Sequence, residues 1–415
     1  MTTRCGCRIL ALATLLLVLE TIRATATPTR ETLGSPSSET IVLWHSLNTA
    51  QTQILSKTLK DFSNTTGIPV KLETGMELTR ALVKQRRYGA LPDVVWGAAD
   101  LIAISREIDL STVPKDLIPS SISPRFVSEL SLNGSSLGVP ILAGNHLVLY
   151  SNASIVPIPA KSWEEIIEQR AALNKKQIET LAIPVGEPYY FLPFMLHAGV
   201  FANGVLSPSL GQDWDKAAAA IKNYVTFIDA GVIPRNCSFT CVTDDFLKGK
   251  VAYAISGDWQ FAENYAALGN NLRISKLPSL QGKPMKSISA SQGLFFPGKS
   301  LTGPRRASLI KLVHHLLENE VQYHFAMDAG RIPVTIQAQN QLLRAEVSQE
   351  QKNLMEIFHD SQPLQSTDST ILTWLMIRKA LIFEIQKVAP TSAIIDFLRA
   401  RTAQQLASYQ EESKR

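Results

Sequence analysis

The sequence predicts an α/β protein with parallel sheets that carry helices on both faces. Strand-like and helix-like segments alternate between residues 40 and 98, and such alternation is typical of a parallel sheet. Apolar residues make up 45% of the 415-residue chain and charged residues 19%, a balance typical of globular proteins with a large core. A chain of this length divides into two or three domains at roughly 100–200 residues each.

Three strands and two helices are predicted in order along the first part of the chain. In the first helix, Ile54, Leu55, Leu59 and Phe62 recur at helical spacing, and Gly67 is a stop signal. The predicted segments are a strand (TIVLWHS), a helix (QTQILSKTLKDFSNTTG), a strand (IPVKLE), a helix (ELTRALVKQRRYG) and a strand (PDVVWG).

The middle of the chain has a different pattern. SLNGSSLGVPIL predicts a hairpin that turns at Asn133–Gly134, and the strand GNHLVLYSN follows. SWEEIIEQRAAL predicts a helix with Ser162 as its N-cap and Glu165 completing a capping box. Helical patterns dominate from 190 to 250, KVAYAISGDW predicts a strand that runs into a turn, and the chain after residue 298 is mainly helical.

The N-terminus predicts a secretory signal peptide over residues 1–26. Its apolar run from Ile9 to Leu19 is shorter than the roughly 20 apolar residues of a membrane-spanning helix. A small-x-small pattern then predicts cleavage after Ala26, and the polar residues 27–39 predict a flexible lead-in. We therefore expect a secreted protein, and a retained membrane anchor is the alternative.

The cysteines and the charges exclude several classes of protein. Two of the four cysteines fall in the signal peptide, and the remaining pair, Cys237 and Cys241, predicts a disulfide in an oxidising compartment. With 41 basic and 36 acidic residues the net charge is +5, too balanced for nucleic acid as the main partner.

GSSLG at 134–138 resembles a hydrolase nucleophile motif, but it lies in the predicted hairpin turn instead of between a strand and a helix. No cofactor or metal motif is present, and several tryptophans in such a chain favour a binding protein for sugars.

Eight segments then resemble, in their order along the chain, the periplasmic solute-binding proteins of ABC importers, in the group that includes maltose-binding protein. The resemblance covers nearly the whole predicted mature chain, and it is carried by IVLWHSLN, DFSNTTGIPVKLE, LPDVVWGAAD, LGVPILAGNHLVLYSN, KSWEEI, GEPYYFLP, FLKGKVAYAISGDW and TWLMIRKA. It implies a two-lobed periplasmic binding protein fold of type II, with hinge segments and a ligand cleft between the lobes. The partners that it implies are a carbohydrate ligand and the transmembrane subunits of an ABC permease, with the protein itself a monomer.

The same resemblance implies where each lobe begins and ends. The N-terminal lobe is expected to comprise residues 40–143 and 293–348. The C-terminal lobe is expected to comprise residues 146–290 and 352–415. Closure of the lobes on the ligand is then a hinge motion.

Ten residues are candidate ligand contacts, and several of them match ligand contacts of the family by position. Asp100 matches an aspartate that accepts hydrogen bonds from sugar hydroxyls, and Trp259 and Trp374 match tryptophans that stack on sugar rings. Helix capping and core packing are the alternative roles. The full set is Asn48, Asp100, Asn145, Glu187, Tyr189, Tyr190, Trp259, Arg331, Trp374 and Arg378.

Departures from the maltose pattern bear on the ligand. Gly144 stands where the maltose binder has a hinge glutamate, Asn48–Thr49 replaces an acid–lysine pair, and Gly97 removes one aromatic residue. We therefore expect a sugar or a sugar-polyol, such as a di- or oligosaccharide or a glucosyl-polyol, without the specificity of the maltose binder for maltodextrins. The alternatives are a phosphorylated polyol, which requires cations such as Arg331 and Arg378, and a secreted glycosidase.

Overall fold

The computed structural model describes residues 40–75, 77–89, 91–202, 205–206, 210–364 and 368–412. The chain divides into two units, Met1–Ser38 and Glu39–Arg415. The predicted signal peptide and lead-in, residues 1–26 and 27–39, lie outside the described residues.

The described residues form sixteen strands, several of them only two residues long. In chain order they are β1 (Ile41–His45), β2 (Val70–Thr74), β3 (Val94–Ala98), β4 (Ser131–Leu132), β5 (Ser135–Ser136), β6 (Gly138–Ala143), β7 (Leu147–Asn152), β8 (Glu179–Ala182), β9 (Phe201–Ala202), β10 (Val205–Leu206), β11 (Val251–Gly257), β12 (Leu272–Ser275), β13 (Ile288–Ser289), β14 (Gln292–Phe295), β15 (Ile332–Pro333) and β16 (Gln362–Pro363).

Thirteen α-helices lie in the same described part of the chain, together with short 3₁₀ and π-helical turns. In chain order they are α1 (Thr49–Thr66), α2 (Leu78–Arg86), α3 (Pro124–Glu129), α4 (Trp163–Lys175), α5 (Pro188–His197), α6 (Leu210–Asp229), α7 (Phe261–Leu268), α8 (Arg306–Leu316), α9 (Asn319–Ala329), α10 (Ile336–Arg344), α11 (Gln349–Asp360), α12 (Asp368–Ile385) and α13 (Thr391–Glu412). Each helix of the described part is too short or too polar to cross a lipid bilayer.

Two main sheets divide the described residues into two lobes. The first lobe is built on a six-stranded sheet in the order β15-β6-β14-β3-β1-β2, and the second on a four-stranded sheet in the order β12-β7-β11-β8. β1 pairs in parallel with β2 and β3, as the sequence predicts. β14 and β7, however, run antiparallel to their neighbours, so both sheets are mixed.

Helices cover both faces of the first sheet, because successive side chains of its central strands point in opposite directions. Trp96 and Leu43 belong to the core cluster on one face, and Val95 belongs to the cluster on the other. The second lobe has a core of its own, in which Trp163 stacks on Phe227 with ring centroids 4.1 Å apart. Each lobe therefore has a hydrophobic core of its own.

The local turns and caps follow the sequence signals. Asn133 and Gly134 have positive φ angles of 51° and 81° and join β4 to β5, which is the predicted hairpin turn. The hydroxyl of Ser162 caps α4 by accepting from the Glu165 N–H at 3.2 Å. The Glu165 carboxylate returns to the N–H of Lys161 instead of that of Ser162, at 2.7 Å, so the capping box is shifted by one residue.

The structure corrects the prediction of a disulfide. Cys237 and Cys241 are both free thiols, Cys237 buried and Cys241 half-buried. The Cys237 thiol donates to the Ser238 carbonyl, 3.7 Å from its sulfur, and Cys241 begins a π-helical turn that continues to Asp245. Burial raises the pKa of the Cys237 thiol well above its usual range, so the unreactive thiol form is favoured.

The chain crosses between the two sheets through short segments. It leaves the first sheet at Ala143 and enters the second at Leu147, and β14 returns it to the first sheet after β13. At this place the Ala290 N–H donates to the Gly144 carbonyl at 3.0 Å, so two crossing segments lie side by side. The exact lobe bounds, 40–143 with 293–348 and 146–290 with 352–415, stay a prediction.

Candidate functional site

The candidate site lies between the two lobes, where loops that follow the central strands of both sheets meet. The 3₁₀ helix Ala99–Ile104, which follows β3, contacts α12, and α7, which follows β11, contacts α9. His45 and Trp96 are paired on β1 and β3, so the residues that follow them emerge from the same edge of the first sheet. Ligands of open α/β sheets bind at this kind of edge.

Tyr189, Tyr190 and Trp259 form an aromatic cluster in the second lobe. The ring of Trp259 lies with its centroid 6.2 Å from that of Tyr189 and 6.4 Å from that of Tyr190, edge-on to the latter. Tyr190 is buried, while Tyr189 and Trp259 are half-buried. Gly257 permits this arrangement, because a Cβ atom there would lie 2.0 Å from the Trp259 ring.

Phe239 extends this cluster and was missed in the sequence analysis. Its ring is 6.0 Å from that of Tyr190 in a T-shaped arrangement, and 53% of its surface is exposed. It lies between Cys237 and Cys241, in a segment whose pattern predicted only a disulfide loop. An apolar aromatic residue in a polar loop was the signal that could have found it.

Tyr189 also joins the cluster to the crossing segments. Its hydroxyl donates to the Asn145 carbonyl and lies 3.4 Å from that of Ile288. Burial raises the pKa of Tyr189 well above its usual value, and the nearby Asp258 charge raises it further. The hydroxyl therefore stays protonated and acts as a donor.

Asp100 occupies the first turn of the 3₁₀ helix after β3. Its side chain is exposed, yet protein surrounds it closely enough that loss of hydration raises the pKa to about 6. The backbone N–H groups of Asp100 and Leu101 oppose that rise. Its carboxylate can therefore accept hydrogen bonds, but its negative charge is unfavourable because the surrounding protein limits its hydration.

Asn48 is fully engaged within the protein. Its Oδ1 atom accepts from the Gln51 N–H at 3.0 Å and so caps α1. Its Nδ2 atom donates to the Trp259 carbonyl at 2.7 Å and to the Glu263 carboxylate at 3.1 Å. Because Trp259 and Glu263 belong to the second lobe, Asn48 joins the two lobes.

Asn145 and Arg331 lie buried at the base of this region. The Arg331 guanidinium donates to Asn145 Oδ1 at 2.9 Å and forms an ion pair with Asp258 at 2.7 Å. Gln292 also donates to Asn145 Oδ1, at 3.1 Å, and accepts from the Trp96 indole at 3.2 Å. The sequence analysis named neither Asp258 nor Gln292 as a site residue.

Gly144 and His146 complete the base of the site. Gly144 has a φ of +116°, and a Cβ atom there would lie 2.1 Å from Asp258 Oδ2, so a side chain at 144 would displace that carboxylate. His146 Nε2 donates to the Leu354 carbonyl at 3.0 Å, since a carbonyl only accepts. Burial lowers the pKa of His146, although the Asp258 charge raises it, and the ring is neutral at pH 7.

Glu187 and Arg378 pair with each other at the outer part of the second lobe. The Arg378 guanidinium lies 3.4 Å from the Glu187 carboxylate, and both side chains are partly exposed. Glu187 occupies the N-cap position of α5, but its side chain makes no capping hydrogen bond. Trp374 lies on α12 four residues before Arg378, and its side chain lies outside the described residues.

A family model described as "Bacterial extracellular solute-binding protein" matches residues 57–355. The chain belongs to this family. The maltose/maltodextrin-binding domain MalE from Bdellovibrio bacteriovorus, solved bound to maltotriose, is similar in structure, with a TM-score of 0.79 and 21% sequence identity. The match covers 89% of this chain and 100% of that chain. At this identity the likeness shows the fold, so the two-lobed architecture predicted for this solute-binding protein is confirmed.

The structure brings most of the predicted site residues of this solute-binding protein into one region. Asn145, Tyr189 and Arg331 are linked through hydrogen bonds at Asn145, and Asn48 and Trp259 are linked directly. Glu187 and Arg378 form a separate pair. Among the described residues, no group of three or more His, Cys, Asp or Glu side chains is arranged to hold a metal ion.

Proposed function

We propose that this solute-binding protein binds a sugar or a sugar-polyol between its lobes and delivers it to the permease of an ABC importer. The observation that supports this most directly is the aromatic cluster of Tyr189, Tyr190 and Trp259. Through the Trp259 carbonyl it contacts Asn48, at the edge of the first sheet from which the segment of Asp100 also emerges. Aromatic faces pack on the C–H faces of sugar rings, and carboxylates accept hydrogen bonds from hydroxyls. A mostly apolar pocket with a few polar groups is the usual form of a small-molecule site.

Within this proposal the predicted ligand contacts have different roles. Asp100, Tyr189, Trp259, Trp374 and Phe239 would contact the ligand. Asn48, Asn145 and Arg331 would hold the lobes and the crossing segments in place, because their polar atoms are already engaged with protein groups. Glu187 and Arg378 would border the cleft.

The cellular part of the proposal depends on the family. Extracellular solute-binding proteins act outside the cytoplasmic membrane, so we propose export through a signal peptide at residues 1–26 and a periplasmic location. The maltotriose in the related MalE structure supports a carbohydrate as the ligand class.

A binding screen tests the proposal. The purified protein is titrated calorimetrically with maltotriose, maltose, trehalose, sucrose, glucosylglycerol and glycerol 3-phosphate, and melting temperatures are recorded in parallel. A ligand at 100 times its dissociation constant adds about 2.7 kcal/mol to the stability of the folded state. We expect one neutral sugar or sugar-polyol to bind and to be recovered unchanged.

Two variants identify the site in the same screen. Trp259→Ala should abolish binding of that sugar, because it removes the centre of the aromatic cluster. Tyr88→Ala is the matched control, since Tyr88 is an exposed aromatic residue that follows α2. Binding that survives Trp259→Ala, or hydrolysis of the sugar during incubation, would contradict the proposal.

A further inference from the structure

Two groups of the first lobe have the positive character that would attract an anionic ligand. One is the guanidinium of Arg331, whose side chain is completely buried. The other is the N-terminus of the 18-residue helix α1, where the first backbone N–H groups lack an intrahelical partner and, with the helix dipole, favour negative charge. Both are in the region between the lobes.

Each of these positive groups already pairs with a carboxylate of the second lobe. Asp258 pairs with Arg331 at 2.7 Å, and both side chains are completely buried. Glu263 accepts a hydrogen bond at 3.1 Å from Nδ2 of Asn48, the residue that caps α1. Burial raises the pKa of Glu263, and a hydrogen bond from the Ala50 N–H in the first turn of α1 opposes that rise. The protein itself therefore places a carboxylate against both positive groups.

The two carboxylates have a common structural origin. Asp258 directly follows β11 of the second sheet, and Glu263 lies in the first turn of α7, five residues later. Arg331 directly precedes β15 of the first sheet, and Asn48 caps the helix that follows β1 of the same sheet. One short segment of the second lobe thus neutralises two positive groups of the first.

We propose that Asp258 and Glu263 are specificity-determining residues that exclude anionic ligands from this site. An incoming phosphate or carboxylate would have to displace a protein carboxylate and leave it without its partner in a poorly hydrated region, which is strongly unfavourable. The ligand is consequently uncharged in the part of the cleft next to the segment that carries Asp258 and Glu263. This inference rests on the proposed function, since it restricts the proposed ligands to neutral sugars and sugar-polyols and excludes phosphorylated polyols.

The test is a gain of anion binding in the full chain carrying Asp258→Asn and Glu263→Gln. Both substitutions keep the size and a hydrogen-bonding oxygen but remove the negative charge. Inorganic phosphate and glycerol 3-phosphate are titrated into the wild type and the double variant at constant ionic strength. We expect the double variant to bind glycerol 3-phosphate at least about tenfold more tightly than the wild type does.

Three further variants make the result decisive. Arg331→Met in the double-variant background should remove most of the gain, because Arg331 is then the released cation. Glu263→Gln alone tests the α1 end without disturbing the buried pair, and circular dichroism confirms that each variant is folded. Glu168→Gln is the charge-matched control, because Glu168 is an exposed carboxylate on α4. It should behave as the wild type does.

The outcomes separate this inference from the proposed function. Equal anion affinities in the wild type and in both the double and the single Glu263→Gln variants would overturn the inference, as would tight binding of glycerol 3-phosphate by the wild type. Failure of every neutral sugar together with a gain of anion binding would overturn the sugar proposal and leave Asp258 and Glu263 as the groups that exclude anions.

Discussion

The guanidinium of Arg331 lies 2.7 Å from the carboxylate of Asp258, and neither side chain is exposed to solvent. Arg331 adjoins β15 of the first sheet and Asp258 follows β11 of the second, so this ion pair joins the two lobes. Asn145, in the crossing segment between β6 and β7, accepts a further hydrogen bond from Arg331. The pair therefore connects both lobes and the segment between them.

Arg331→Met is expected to destabilise the protein strongly. It leaves the Asp258 carboxylate buried without its cation, and breaking a buried pair in this way costs about 3–5 kcal/mol. Urea unfolding followed by circular dichroism measures the loss. The double variant Arg331→Met/Asp258→Asn should recover part of it, because no uncompensated charge then remains, and equal stability of the single and double variants would refute the pairing.

Gly144→Ala is expected to destabilise the protein by more than its backbone conformation alone explains. A positive φ costs a non-glycine residue about 1–2 kcal/mol. The alanine Cβ would also meet Asp258 Oδ2 at 2.1 Å, and overpacking adds about 1–3 kcal/mol. Gly282→Ala is the control, because Gly282 has a φ of +72° with open space around it. Equal losses in the two variants would show that the approach to Asp258 has no energetic consequence.

Removal of the Asp100 carboxylate is expected to change how stability depends on pH. The pKa of Asp100 is raised from 3.8 to about 6 on folding, so the folded state binds the proton more tightly than the unfolded state. The free energy of unfolding of the wild type should therefore fall, relative to that of Asp100→Asn, as pH rises from about 4 to about 6. Above pH 6 the difference between the two proteins should stay constant. Because Asp100 is exposed, the difference should be smaller than the full shift implies.

Thermal melts of both proteins across this pH range check the prediction. Asp109→Asn, at an exposed carboxylate paired with Arg86, serves as a second comparison. A constant difference between the wild type and Asp100→Asn at all pH values would contradict the raised pKa. In the presence of the neutral sugar, Asp100→Asn should also bind more weakly above pH 6, where the wild-type carboxylate is ionised.

The two cysteines of the second lobe are expected to differ in reactivity. Cys241 is half-buried, whereas Cys237 is 3% exposed and burial raises its pKa, so Cys241 should be alkylated first. Timed iodoacetamide labelling followed by peptide mass mapping measures the order. In denaturant both thiols should react at similar rates. A disulfide-linked peptide from the native protein would contradict the free thiols.

The sequence was informative wherever the relevant interaction is local. The helix around Leu55 and Phe62 followed from spacing, and the Asn133–Gly134 turn and the Ser162 cap followed from residue types that form those structures by themselves. The resemblance carried by colinear segments supplied the two-lobed fold, which is confirmed. The disulfide between Cys237 and Cys241 was predicted wrongly, because short separation in sequence does not fix how two sulfur atoms are oriented.

The sequence by itself determined the alternation of strands and helices, the family and the positions of the aromatic and acidic candidates. Only the tertiary structure decided what those candidates contact. Asp258 and Arg331 are 73 residues apart, and Asn48 and Glu263 are 215 residues apart, yet each pair is in contact. Such contacts depend on how two independently packed sheets approach each other, and no periodicity or local motif encodes that approach.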